Sequence, residues 1–247
     1  MIARNLSPIL KNLATLYPIV TLTGPRQSGK TTLCRHLFSA LPYISLEPLD
    51  NRRYATEDPR GFLSEYRHGA VIDEAQNAPE LFSYLQEAVD NNPTPGRFII
   101  TGSQQFSLLE NITQSLAGRT AIAHLLPPAL SELRQFPTYP ATQLLSVLIA
   151  GAYPRIFDQG IPATNWLQNY VTTYVERDVR QLLHVTDLLA FTNFMKLCAG
   201  RVGQEIKLSA LGADAGISHH TARAWLSVLE ASYIVFRLPA WHDNTRK

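Results

Sequence analysis

Leu6, Ile9, Leu10, Leu13, Leu16 and Tyr17 recur at the three-, four- and seven-residue intervals of one helical face, and Pro18 ends the pattern. The short apolar run Ile19 to Thr23 then predicts a strand, and the glycine-bearing segment Gly24 to Gly29 separates it from a helical stretch, Lys30 to Leu41. Tyr43 to Leu46 reads as a second strand, and the polar stretch from Glu47 to His68 as loop with one short helix at Pro59 to Tyr66. Gly69 to Asp73 has the look of a buried strand, Pro79 to Val89 of a helix with proline in its first turn, and Arg97 to Thr101 and Ala121 to Leu126 of two more strands. This alternation predicts an α/β fold, a parallel sheet with helices on both faces. Pro127, Pro128, Pro137 and Pro140 mark a boundary. From Ala141 onward the pattern is helical until Tyr233-Ile234-Val235-Phe236, which reads as a strand.

The loop carries the chemistry. Gly24-Pro25-Arg26-Gln27-Ser28-Gly29-Lys30-Thr31 fits G-x-x-x-x-G-K-[ST] without a mismatch, after a strand and at the start of a helix. Glycines let the backbone turn its N–H groups inward, and the helix N-terminus favours an anion. Lys30 is placed for the β- and γ-phosphates, the Thr31 hydroxyl for Mg²⁺, and Thr32 for the α-phosphate.

Ala70-Val71-Ile72-Asp73-Glu74 closes a strand with two acids. Asp73 suits Mg²⁺, and Glu74 suits orientation or deprotonation of an attacking water. That pair favours ATP hydrolysis over transfer to a small acceptor. Phe98 to Thr101 ends in Gly102-Ser103-Gln104, facing the same crevice in a doubly wound sheet. Thr101 or Ser103 is positioned to reach the γ-phosphate or the water, with Ser103 preferred. The chain has no N-K-x-D guanine-reading signal, which favours adenine.

Bulk properties narrow the reading without directing it. In 247 residues, 45% are hydrophobic and 17% charged, an ordinary globular balance. The 22 basic and 20 acidic residues leave +2, too little to indicate a polyanion partner. Cys34 and Cys198 make neither a disulfide framework nor a cysteine-rich metal site, and Cys34 reads as a core residue. The N-terminus lacks a secretory pattern, and the apolar run at Leu144 to Tyr153 is about half a membrane span of roughly 20 residues. The expectation is cytoplasmic residence and no membrane partner.

GPRQSGKTTL, VIDEAQNAPELF, PGRFIITGSQQFSLL and SLAGRTA, in that order, resemble the prokaryotic AAA-type P-loop ATPases joined to a C-terminal domain of unknown function. GAYPRIF, NYVTTYVERDVRQLL and a winged-helix-like segment ending at FRLPAW extend the resemblance over nearly the whole chain. It implies a three-layer AAA-type ATP-binding domain at residues 1–136. A helical domain at 137–247 follows, with its winged-helix-like segment at about residues 190–240. It further implies that Gly24 to Thr32 bind ATP and Mg²⁺, that Asp73 and Glu74 form the second Walker motif, and that Ser103 lies in the sensor region. Arg119 becomes the arginine-finger candidate, acting across a homo-oligomer interface on the transferring phosphoryl group. Its alternative is a surface arginine that caps a strand or pairs with an acid. Members of the resembled family continue through a second wing strand and a nuclease-like region, so the expectation here is a truncated chain with an exposed strand at Tyr233 to Leu238.

Leu208 to Glu230 has a helix-turn-helix cadence, with Ser209 and Ser218 as helix starts and Gly216 at the turn. Ala222, Trp225, Leu226 and Leu229 are expected inward, and His219, His220, Arg223 and Ser227 outward. DNA reading wants more basic and amide groups than Arg223 supplies, so packing or assembly competes with it. A nucleotide-gated DNA-binding regulator with little hydrolysis is the alternative function. Arg177, Asp178 and Arg180 fit a family signature or surface ion pairing, and Arg155 a second sensor or a solvated arginine.

Overall fold

A computed structural model describes residues 2–103, 108, 112, 114–140, 143–174 and 187–239. The chain divides into two compact units, Met1–Thr164 and Asn165–Lys247.

The first unit is built on five parallel strands: β1 Ile19–Thr23, β2 Tyr43–Ser45, β3 Ala70–Asp73, β4 Phe98–Thr101 and β5 Thr120–His124, in the order β2-β3-β4-β1-β5. Its helices are α1 Ser7–Leu16, α2 Lys30–Leu37, α3 Leu49–Glu57, α4 Pro59–Glu65, α5 Leu81–Asn91, α6 Leu130–Leu133, α7 Leu144–Ala150 and α8 Pro154–Asp158, and α9 Ala163–Tyr174 runs across the division. The central strands read as continuous apolar runs because both of their faces are covered.

Alternate strand residues feed two separate cores. Ile19, Ala70, Ile72, Phe98 and Ile100 pack with Ala55, Phe62, Leu81, Phe82 and Leu85 on one face. Val20, Leu22, Val71 and Ile99 pack with Leu10, Leu33 and Cys34 on the other. This is the expected three-layer architecture. Because the strands are parallel and in register, Leu22 with Thr101, Ile72 with Ile100 and Ser45 with Asp73, their carboxyl ends form one common edge. The loops that leave it are the phosphate loop, the Asp73-Glu74 turn and the Gly102-Ser103 turn.

One helix in the polar stretch was not expected. α3 carries the sequence LDNRRYATE, and only Ala55 in it is buried, so no apolar face announces the helix.

In the second unit, α10 Leu188–Ala199, α11 Leu208–Asp214 and α12 His219–Ala231 close around Phe191, Phe194, Leu211, Trp225, Leu226 and Leu229. Trp225 meets Phe191 and Phe194 edge-on, with ring centroids 5.2 and 5.5 Å apart. Gly216 makes the turn at φ 68°, and the Ser218 hydroxyl caps α12 by accepting the Thr221 N–H at 3.0 Å. α11 begins at Leu208, with Lys207 rather than a serine at its N-cap. Ala222, Trp225, Leu226 and Leu229 are buried, and His219, His220, Arg223 and Ser227 are exposed.

The strand expected at Tyr233 is a correction. After α12 the chain turns back at Tyr233, φ 59°, and the Ile234 and Val235 N–H groups both donate to the Leu229 carbonyl, at 2.9 and 3.3 Å. The apolar side chains thus add to the helical core as a helix-ending turn, and no strand lies among the described residues there. Arg177, Asp178 and Arg180 lie outside the described residues.

Candidate functional site

The carboxyl edge of the sheet gathers most of the residues that the motifs single out. Gly24 leaves β1 at φ 147°, and a Cβ there would stand 2.2 Å from the Leu125 carbonyl oxygen, so the close approach of two backbones requires glycine. Pro25 is buried, Arg26 half-buried and Gln27 exposed with φ 64°. Gly29, left-handed at φ 94°, is the N-cap of α2. The first-turn N–H groups of α2, from Lys30, Thr31 and Thr32, have no carbonyl partner within the helix, the usual state of a helix start.

Lys30 is 5% exposed and folds back over the loop, donating to the carbonyls of Gly24 and Pro25, each at 2.9 Å. Burial lowers its pKa to about 8, against the opposing pull of Glu74 and then Asp73. The Ser28 hydroxyl is buried without a hydrogen-bond partner among the described residues. Thr32 is exposed on the first turn of α2.

Asp73 ends β3 as a nearly buried carboxylate that accepts hydroxyls from three elements: Thr31 at 2.9 Å, Tyr43 at 2.7 Å and Thr101. Burial and then the hydrogen bond to Asp73 push the Tyr43 phenol up to about 12, so it stays a donor at neutral pH. Glu74 adopts a left-handed conformation, φ 56° and ψ 45°, which is uncommon for a non-glycine residue and recurs at functional turns. Its Oε2 accepts from the Ser103 hydroxyl at 2.9 Å and from the Gln76 amide. The two hydroxyls left open by the motif therefore part company: Thr101 holds Asp73 and Ser103 holds Glu74.

Tyr43 and Gln76 went unrecognised in the sequence. Tyr43 is one strand residue among many, and only the pairing of β2 with β3 places its hydroxyl against an acid 30 positions away. Cys34 is fully buried, and burial raises its thiol to about 12, as suits a core residue.

Arg119 is not brought to its own chain's loop. It precedes β5 at the amino end of the sheet, roughly 16 Å of strand from the carboxyl edge. There its Nε and Nη2 donate to the two carboxylate oxygens of Asp90 in α5, at 2.6 and 2.8 Å. Arg155 donates to Gln159, four residues on, at 3.0 Å.

The donor set fits Mg²⁺ with a nucleotide. Thr31 and Asp73 present hard oxygens within hydrogen-bond distance of each other, the Ser28 hydroxyl lacks a partner, and the Lys30 ammonium rests on carbonyls that a phosphate can replace. No group of three or more His, Cys, Asp or Glu side chains able to hold a metal occurs among the described residues, and no helix among them is long and apolar enough to cross a membrane.

Comparison with known proteins bears on the domains and the fold. Residues 16–134 match a family model described as an AAA domain, and residues 141–247 one described as a domain of unknown function. Uncharacterized proteins of Mycobacterium bovis and Mycobacterium tuberculosis are each 32% identical over 235 residues, 93% of this chain and 52% of theirs. The chain thus spans about half the length of the curated relatives it matches. A Walker-type ATPase of Pyrococcus abyssi shares the fold, with a TM-score of 0.63 at 16% identity over 94% of this chain and 90% of that one. With its glycine-rich loop, parallel sheet and helical second unit, the chain carries an AAA domain of the P-loop type followed by a domain of unknown function.

Proposed function

We propose that this protein binds Mg-ATP at the carboxyl edge of its sheet and hydrolyses it to ADP and phosphate to drive a conformational change. The observation that carries this reading is the convergence of Lys30, Thr31, Asp73 and the Ser103–Glu74 pair on one loop. Residues 1–136 do the nucleotide work in this reading, and the helical region 137–247 receives it.

The backbone from Gly24 to Thr32 cradles the phosphates, and Lys30 exchanges its two carbonyl partners for phosphate oxygens. Thr31 and Asp73 would hold Mg²⁺, which would supply charge neutralisation to the transferring group. Tyr43 and Thr101 keep the Asp73 carboxylate aimed by occupying its outer lone pairs. Glu74, held by Ser103 and Gln76, accepts the proton of the water that attacks the terminal phosphorus. Arg119 acts in trans within a homo-oligomer, which requires it to release Asp90.

Calorimetry with Mg-ATP and a steady-state ATPase assay test the proposal together. Glu74→Gln is expected to bind Mg-ATP as the wild type does while turnover drops by about 100-fold or more. Full turnover in that variant removes the role of Glu74, and a folded wild type without affinity for Mg-ATP removes the whole reading.

A further inference from the structure

Arg4 is an arginine of the N-terminal segment that no motif singles out, and it is 8% exposed. Its Nη1 donates to the Ser28 carbonyl of the phosphate loop at 2.9 Å, and its Nη2 donates to the Leu126 carbonyl beyond β5 at 2.6 Å. Nε lies 3.2 Å from Oε2 of Glu132, itself 4% exposed. Glu132 is held in turn: Oε2 accepts the Ala129 N–H at 2.8 Å, and Oε1 accepts the Asn5 N–H at 2.5 Å. Gln135 staples the same segment by exchanging two hydrogen bonds with the Ala3 backbone, at 2.8 and 3.0 Å.

A buried ion pair is a poor device for stability alone, because desolvating both charges offsets much of their attraction. What a guanidinium fork adds is fixed direction. In a trans peptide the C=O and N–H point opposite ways, and the chain has no cis peptide bond among the described residues. Drawing the Ser28 carbonyl toward Arg4 therefore turns the Gly29 N–H away from it. A Cβ on Gly29 would stand 3.7 Å from Arg4 Nη1, so the guanidinium lies against the loop where α2 begins.

We propose that Arg4 is a positioning residue for the phosphate loop, holding the Ser28–Gly29 peptide so that its N–H faces the bound phosphates, and that Glu132 holds Arg4 in that task. The proposal rests on the ATP-binding reading above and adds a residue from outside the motif.

Arg4→Met, Arg4→Lys and the charge-free pair Arg4→Met with Glu132→Gln separate positioning from mere neutralisation of Glu132. Hydrogen exchange without nucleotide is expected to quicken about tenfold in residues 24–32 of Arg4→Met and of the paired variant, with β3 and β4 unchanged. Mg-ATP affinity, by calorimetry, is expected to fall about tenfold or more in both, and Arg4→Lys to recover part of it. The paired variant keeps the test decisive where Arg4→Met alone folds poorly, since it leaves no unpaired buried charge. Wild-type loop exchange together with wild-type affinity in the paired variant overturns the proposal. A wild type that fails to bind Mg-ATP overturns the ATP reading, and the exchange data still decide whether Arg4 orders the loop.

Discussion

Lys30 is kept at a cost to the fold, and replacing it with methionine exposes that cost. Its pKa of about 8, lowered by burial from 10.5, corresponds to about 3 kcal/mol of preference against the buried charge. Methionine has similar length, carries no charge, and leaves the Gly24 and Pro25 carbonyls without the charged donor, a loss of about 1.5 kcal/mol each. The two effects nearly cancel at neutral pH, so the decisive quantity is the pH dependence of the difference. Below pH 8 Lys30 is protonated in both folded and unfolded chains, and the cost of burying its charge is fully present. Between about 8 and 10.5 the unfolded chain binds more protons, so wild-type stability rises with pH relative to Lys30→Met. Integrating from pH 7 to pH 9.5 gives a relative gain of about 2 kcal/mol. Urea denaturation of both proteins at pH 7, 8.5 and 9.5 measures it, since every other titrating group in that window is shared. A stability difference that stays flat refutes the claim that burial penalises this charge. The same variant is expected to show no calorimetric binding of Mg-ATP, because methionine offers the phosphates neither a positive charge nor a hydrogen-bond donor.

Gly24→Ala places a methyl 2.2 Å from the Leu125 carbonyl at a left-handed φ, which is expected to cost about 2–4 kcal/mol in chemical denaturation; unchanged stability contradicts the close approach of the two backbones. Tyr43→Phe removes one of the three hydroxyls on Asp73 and is expected to raise the Mg²⁺ concentration needed for half-maximal ATPase about tenfold; an unchanged Mg²⁺ titration removes Tyr43 from the site. Arg119→Ala alters an exposed ion pair and is expected to leave the melting temperature nearly unchanged. Mixed with Lys30→Ala subunits it is expected to regain part of the ATPase activity that each lacks alone, and no regain counts against action in trans.

The phosphate loop and the alternating strands were legible because they obey local rules. Glycine at 24 and 29 meets a backbone demand, and a continuous apolar run such as Ala70 to Ile72 can belong only to a covered strand once a helix flanks each side. Two segments misled by the same logic. α3 is polar along nearly its whole length, and its helix shows no apolar stripe to read. Tyr233 to Phe236 has strand composition, yet a strand exists only with a neighbour to pair with, and here the Leu229 carbonyl takes the amides instead.

The chain's order of residues alone determined that a triphosphate-shaped loop stands between a strand and a helix and that two acids end another strand. The folded molecule decided which partners those groups meet and in what state of charge. Thr101 goes to Asp73 and Ser103 to Glu74, Arg119 is held by Asp90 at the far end of the sheet, and Arg4 reaches the loop across 24 positions of chain. The reason is physical: backbone conformation follows from neighbours in sequence, whereas desolvation, hydrogen bonding and charge pairing follow from neighbours in space.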